Sequence, residues 1–378
     1  DRERIQVEVT QRVVERLGQQ AQGAAEGYLQ QLVNDTIYHE LRRLDRENPR
    51  KGLTGKQRAY YLGVRRRLVD AADANQRQLL EDLARRFVAE VVGNFDQRVY
   101  RLSTTIIPTG LSVLLNAMSP HRLLKLDRFR RSLADHLIVQ GETELLRGLL
   151  DKGTLVVVPT HSSNLDSILL GYAVYLLGLP PLLYGAGLNL FTNPLMSFFM
   201  RNLGAYRVDR KKTAPLYRDV LKEYATVAAE YGYHQLFFPG GTRSRSGAIE
   251  THLKRGLMGT ALRAYVSNLQ KGRAQPNLYI VPCTLSYKLV LEAETLIGDY
   301  LAETGKARYI IDDDEFSKPR RLINFFSNAL SLDDEIVLTF SRPMDVFGNL
   351  VDGDGNSLDP RGRRVDPRSY VSHDGVPT

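Results

Sequence analysis

His161 and Asp166 stand five residues apart in "HSSNLD", directly after the apolar run "TLVVVPT" (154–160). A histidine with a reference pKa near ~6.5 accepts a proton at neutral pH. An aspartate one turn away can bend back, hold the other ring nitrogen, fix the tautomer and stabilise the imidazolium that forms. No protein nucleophile is evident. Ser162 and Ser163 are too close to the histidine in sequence to be assigned that role. A dyad without a nucleophile fits a reaction in which the substrate brings its own hydroxyl and His161 acts as general base. The spacing by itself is a weak signal and favours a satisfied polar turn.

A second constellation is "FFPGGTRSRSG" (237–247). Adjacent Gly240 and Gly241 let backbone N–H groups come close to a ligand. Thr242, Ser244 and Ser246 offer hydroxyls, and Arg243 and Arg245 offer planar guanidinium forks that match phosphate oxygens. By composition this is an anion site. "GAYRVDRKK" (204–212), with Arg207, Arg210, Lys211 and Lys212, reads as a second wall of that site or as a basic approach to a helix. "DGDGN" spaces Asp352, Asp354 and Asn356 like the start of a calcium loop, but Arg363 stands where the twelfth-position glutamate is required, so it reads as a turn. Neither a zinc cluster nor a phosphate-binding P-loop motif is present, and no metal site is expected.

These residues need elements to hold them. Four short apolar runs read as strands: "TLVVVPT" (154–160), "QLFFPGG" (235–241), "LYIVPCTLSY" (278–287) and "EIVLTFSRP" (335–343). Helical stretches such as 215–232 and 253–269 separate them, so the chain past about residue 150 reads as an α/β layer fold. In such sheets ligands bind beyond the carboxyl ends of strands. "HSSNLD" and "GGTRSRSG" both follow a strand, so they can meet. Residues 1–100 read as helical, with Leu29, Val33, Ile37, Leu41 and Leu44, then Leu80, Leu83, Phe87 and Val91, at three- and four-residue spacing. "ENPRKGLTG" (47–55) breaks that pattern. No internal repeat is evident.

Two uncharged stretches stand out. Residues 102–120 are interrupted by Pro108 and Gly110 and read as an interfacial or buried segment. The 34 residues from Ser167 to Met200 carry no charge, yet three prolines and four glycines forbid a straight membrane-spanning helix. They read as deep core or as a surface for something greasy.

The totals bound the rest. A chain of 378 residues suits two domains, and 25% charged with 43% hydrophobic residues is a globular composition. One cysteine, Cys283, excludes a disulfide framework, favours a reducing compartment and reads as a buried small hydrophobe. The chain does not open on a secretory signal. A net charge of +8 fits nucleic acid, an anionic membrane surface or a phosphorylated substrate.

Taken in order, "HSSNLD", "GAYRVDR", "FPGGTRSRSG" and "IVPCTLSY" resemble the motif blocks of the glycerolipid acyltransferase family over about residues 150–345. The helical N-terminal region and "SYKLVLEAETLIGDYLAETGK" (286–306) look like the bacterial glycerol-3-phosphate 1-O-acyltransferases. The resemblance implies an acyltransferase domain with a mixed sheet flanked by helices (121–350), after an all-α domain (1–120) and before a C-terminal extension (351–378). It implies transfer of an acyl group from acyl-CoA or acyl carrier protein to the sn-1 hydroxyl of glycerol 3-phosphate. His161 would be the base and Asp166 its orienter. Arg207, Arg210, Lys211, Arg243, Ser244 and Arg245 would hold the phosphate, and Gly240, Gly241 or Thr242, or N–H groups near the helix after Asp166, would receive the oxyanion. The alternatives are a lysophosphatidate acyltransferase and a weakly active lipid-binding relative. No cofactor and no nucleic-acid partner is expected. The expected place is peripheral or shallowly inserted at the cytoplasmic face of an anionic membrane. One departure is Gly240, where the family usually carries glutamate, a position that reads as fixing the loop.

Overall fold

The computed structural model of the protein describes residues 2–46, 52–69, 71–104, 137–163, 166–191, 194–241, 243–244, 253, 255–287, 336–373 and 376–377. Most of the uncharged stretch 102–120 and of the stretch 286–306 lies outside these residues, as do Thr242 and Arg245. The principal helices are α1 (Arg2–Gln22), α2 (Tyr28–Arg46), α3 (Gly52–Val69), α4 (Asp73–Val91), α5 (Thr143–Leu149), α6 (Asp166–Leu176), α7 (Pro194–Asn202), α8 (Pro215–Glu230) and α9 (Arg255–Gln270). The strands are β1 (Leu137–Gly141), β2 (Gly153–Pro159), β3 (Leu183–Gly187), β4 (Ala205–Val208), β5 (Gln235–Leu236), β6 (Asn277–Tyr287), β7 (Ile336–Phe340), β8 (Leu350–Val351), β9 (Ser357–Leu358), β10 (Arg364–Val365), β11 (Ser372–His373) and β12 (Val376–Pro377).

The chain divides into two compact units. Asp1–Gly93 and Tyr206–Ala228 form the first, and Asn94–Ala205 with Ala229–Thr378 the second. The first is helical, as the apolar spacing of residues 1–100 predicts. Val33, Ile37 and Leu44 of α2 and Leu80, Leu83, Phe87 and Val91 of α4 are buried. Each such side chain contributes roughly 1.5–3 kcal/mol when removed from water. The break at 47–55 is shorter than the glycines suggest, because α3 already begins at Gly52. A glycine costs a helix only about 1 kcal/mol, which tertiary packing offsets. A charged group closes the interior of this unit. Lys212 Nζ lies 3.2 Å from Glu40 and 2.5 Å from Glu90, and 4.5 Å over the ring of Phe87.

The second unit is built on a mixed sheet whose strands lying wholly within it run β1-β7-β6-β2-β5-β3. β2 pairs in parallel with β6 on one side and β5 on the other, β3 pairs in parallel with β5, and β7 is antiparallel to β6 but parallel to β1. β2 and β6 read as continuous apolar runs because both faces are covered. Leu155 and Val157 of β2 join Val281, Cys283 and Leu285 of β6 and Leu169 and Leu170 of α6 in one cluster. Val156 joins Leu278, Ile280 and, from α9, Ala261, Ala264 and Tyr265 in another. Cys283 is 2% exposed, the buried small hydrophobe expected. The run read as a strand over 235–241 pairs only at Gln235 and Leu236, since Pro239, Gly240 and Gly241 turn the chain out of the sheet. β1 and β3 do not stand out in the sequence because β1 is mostly exposed and β3 only half-buried, so neither is a continuous apolar run.

The C-terminal hairpins contain a repeat that composition alone hides. Asp345, Asp352 and Asp359 recur every seven residues, each followed three positions later by Gly348, Gly355 or Gly362 at φ 93°, 82° and 77°. Each aspartate Oδ1 accepts the N–H groups two and four residues on, at 2.8–2.9 Å. The second and third turns connect β8, β9 and β10 into an antiparallel meander, and the first leads into β8. The calcium-like spacing of "DGDGN" is thus one of three equivalent turns, with the Asp352 carboxylate committed to backbone N–H groups.

Candidate active site

The parallel trio β6-β2-β5 puts the carboxyl ends of β2 and β5 side by side, and the two chemistry-bearing loops leave from there. The ladder between β2 and β6 carries one residue further at Thr160. Its N–H donates to Cys283 O at 3.0 Å, and its Oγ1 accepts the Leu285 N–H at 3.1 Å. His161 begins where this pairing runs out.

Asp166 opens α6, where the helix dipole favours a negative charge, and its side chain folds back over the loop. Oδ2 accepts the N–H of Ser162 at 2.7 Å, the N–H of Ser163 at 3.0 Å and the Nδ1–H of His161 at 2.8 Å. Tyr287 donates its hydroxyl to Oδ1. Asp166 is fully buried while the His161 side chain is 18% exposed. A carboxylate can only accept, so Nδ1 carries the proton and Nε2 keeps its lone pair. The carboxylate organises the loop, and this is why the loop is polar.

The loop after β5 clasps the same histidine. Phe237 N–H donates to Val157 O at 3.0 Å, keeping the chain beside β2. The Phe238 ring stacks on the imidazole at 4.1 Å and 27°. Gly241, at φ 71°, closes a turn by donating its N–H to Phe238 O at 3.1 Å. Ser244 N–H then donates to His161 O at 2.6 Å. Arg243 is buried at 9% exposure, so a guanidinium sits in the loop that holds the base.

The structure thus brings His161, Asp166, Gly240, Gly241, Arg243 and Ser244 into one unit. Arg207, Arg210 and Lys211 belong to the other unit. There Lys211 N–H caps Asp209 Oδ1 at 2.9 Å, Arg210 and Lys211 are exposed, and Arg207 is half-buried. Lys212 is spent on Glu40 and Glu90. Among the glycine candidates for the oxyanion, the N–H of Gly241 is committed to its turn. That leaves Gly240 as the glycine to test. Cys283 is no rival nucleophile: burial, with the nearby Asp166 charge, pushes its thiol up to about 12.

Two residues of this arrangement escaped the sequence reading, Phe238 and Tyr287. Tyr287 alternates with Cys283 and Leu285, which places all three on one face of β6. That signal was present but pointed to core rather than to the dyad.

Residues 136–286 match the family model described as Acyltransferase. Over 175 residues the chain is 31% identical to a glycerol-3-phosphate acyltransferase of Pseudomonas syringae pv. tomato, a match covering 46% of this chain and 20% of that protein. It is 35% identical over 174 residues to the enzyme of the same name from Pasteurella multocida, covering 45% and 21%. The matched stretch therefore spans about a fifth of each curated relative. Among solved structures, a 1-acyl-sn-glycerophosphate acyltransferase from Thermotoga maritima aligns with a TM-score of 0.34 at 17% identity, over 66% of this chain and 83% of that one, a likeness too loose to bear on the site.

Proposed function

We propose that the chain, whose residues 136–286 match the Acyltransferase family model and glycerol-3-phosphate acyltransferases, is a glycerolipid acyltransferase that transfers a fatty acyl group from acyl-CoA or acyl carrier protein to the sn-1 hydroxyl of glycerol 3-phosphate. The observation that carries this reading is the His161–Asp166 pair, with Nδ1 bonded to a buried carboxylate and a buried Arg243 in the clasping loop. Nε2 of His161 takes the proton of the acceptor hydroxyl as its oxygen attacks the thioester carbonyl. The tetrahedral oxyanion forms beside the Gly240 turn. On collapse the carbon–sulfur bond breaks, and the leaving thiolate takes the proton back from the imidazolium. Arg243, with Ser244 and Arg245, holds the phosphate, and Arg207, Arg210 and Lys211 are the further cations proposed for the anionic substrates.

The acyl donor and product are greasy, and the second unit carries an aromatic surface suited to them. Phe95, Tyr100, Tyr175 and Tyr172 form a chain of ring contacts at 5.5, 6.5 and 6.3 Å, and Phe95 and Tyr175 are each 43% exposed. Leu176, Leu188 and Phe198 are exposed as well. No helix among the described residues is long and apolar enough to cross a membrane. The attachment proposed from this aromatic surface and the net charge of +8 is peripheral, on an anionic membrane surface. Vesicle flotation tests it: binding that survives in part at high salt supports apolar insertion, and no binding at low salt refutes it.

The decisive assay offers glycerol 3-phosphate and lysophosphatidate in parallel, against acyl-CoA and acyl carrier protein, to the purified chain and to a His161→Ala variant. Turnover on glycerol 3-phosphate that falls by about 10²–10⁴-fold in the folded variant supports the reading. Preference for lysophosphatidate reassigns the acceptor. Undiminished turnover in His161→Ala ends the mechanism.

A further inference from the structure

β6 overhangs the strand that carries the dyad. It pairs in parallel with β2 only as far as Cys283↔Pro159, then runs on to Tyr287, paired with β7 alone and with Tyr287 opposite Ile336. Four residues of strand extend about 13 Å, at ~3.3 Å each, so β6 passes the point where β2 gives way to the "HSSNLD" loop. The face carrying Cys283 and Leu285 belongs to the same cluster as Leu169 and Leu170 of α6. Tyr287 continues that face and reaches the first residue of α6, where its hydroxyl donates to Asp166 Oδ1.

The division of bonds on Asp166 is uneven. His161, Ser162 and Ser163 all donate to Oδ2, and Tyr287 donates to Oδ1. Asp166 is fully buried with Tyr287 in place. The two backbone N–H groups hold Oδ2 in place without Tyr287. What the hydroxyl supplies is therefore electronic. A donor on one carboxylate oxygen draws negative charge away from the other, and the other is the one that faces the imidazole.

We propose that Tyr287 is a positioning residue of the dyad, which acts through Asp166: its hydroxyl takes Oδ1 and limits how strongly the carboxylate draws a proton onto His161. A base is useful only while unprotonated. A buried aspartate without that donor would hold His161 as imidazolium to higher pH and remove it from the reaction. The other titratable or charged groups on the strand and loop packed around the pair keep their charge state through the neutral range. Cys283 on β6 is a thiol pushed up to about 12, Arg243 after β5 is a permanent cation, and Phe238 carries no charge.

The inference rests on the acyltransferase reading, and its test separates the two. In the full chain, the His161 ring is titrated by NMR and kcat/KM is followed over roughly pH 5–8, with His161→Gln identifying the resonance. Tyr287→Phe is expected to raise the His161 midpoint by roughly half to one pH unit. The acidic limb of kcat/KM should move by the same amount, with activity recovering above it and KM little changed. Replacing Tyr287 with 3-fluorotyrosine, a stronger donor of the same shape, is expected to move both downward, and it decides the matter if the Phe variant does not fold. A midpoint unmoved by either replacement, or an activity loss uniform across pH, overturns the proposal, because a purely packing role predicts that result. If the midpoint moves as expected but the wild-type chain transfers no acyl group, the role of Tyr287 stands and the acyltransferase reading fails.

Discussion

Replacing Asp166 two ways should separate its structural work from its chemical work. Asp166→Ala removes the acceptor of the N–H groups of Ser162 and Ser163, of His161 Nδ1–H and of the Tyr287 hydroxyl. Water can reach His161, which is 18% exposed, but not the Ser163 N–H in a residue 1% exposed. The Ser163 N–H is left without this acceptor, at roughly 1–3 kcal/mol, and the lost charge-assisted bond from Tyr287 adds about 1.5–3 kcal/mol, so the loss is about 2.5–6 kcal/mol. That is a large share of the roughly 5–15 kcal/mol that holds a domain together. Asp166→Asn keeps the acceptor that the Ser163 N–H needs. The amide oxygen can take the place of Oδ2, and one amide N–H can donate to the oxygen of half-buried Tyr287. Only the charge assistance is lost, about 1–2 kcal/mol in total, or roughly 2–8 °C in Tm at about 2–4 °C per kcal/mol. The amide cannot stabilise the imidazolium, so kcat should still drop by about 10²–10⁴-fold. Thermal melts and steady-state acyl transfer from acyl-CoA to glycerol 3-phosphate, run on both variants, check this. Asp166→Asn with turnover within tenfold of wild type would refute the chemical role. Equal stability of the two variants would refute the hydrogen-bond accounting.

Three further outcomes follow from the same geometry. Arg243→Ala should raise the KM for glycerol 3-phosphate by about ten- to a hundredfold with a smaller loss in kcat, and Arg243→Lys should rescue it poorly; with glycerol as acceptor the Ala variant should be scarcely worse than wild type, and an equal loss with both acceptors would remove Arg243 from the phosphate site. Lys212→Met leaves the fully buried Glu40 to Arg43 at 3.0 Å and the Tyr61 hydroxyl and should cost about 1.5–3 kcal/mol in denaturant unfolding, whereas exposed Lys211→Met should stay within about 0.5 kcal/mol; matching losses would mean that the buried pair is not closing the helical unit. Because the Cys283 thiol is pushed up to about 12 by burial and the Asp166 charge, it stays protonated below that value, so iodoacetamide should leave it unlabelled in the native protein at mildly alkaline pH and label it on unfolding, and rapid native labelling would contradict its burial.

Local chemistry determined much of this protein before any folding was considered. The His161–Asp166 spacing, the glycine–arginine loop, the apolar runs of β2, β6 and β7, and the helical periodicity of α2 and α4 are all short-range patterns, and each contains its own signal. The buried faces of β2 and β6 were legible because strands covered on both sides become continuously apolar. What the sequence left open depends on contacts between distant residues. It could not tell a polar bend from a dyad, because that rests on Asp166 folding back under three donors and on Tyr287 arriving from 121 residues away. It extended the third motif as a strand, because Phe238 looks like core until the proline and glycines turn it onto His161. It grouped Lys212 with the neighbouring cations, because charge alone does not show that Glu40, from α2, and Glu90, at the end of α4, close around it. Spacing along the chain decides which residue types can cooperate locally. Which of them do so is decided by strand register and by the burial that removes water as a competing partner, and both exist only once the sheet and its covering helices have formed.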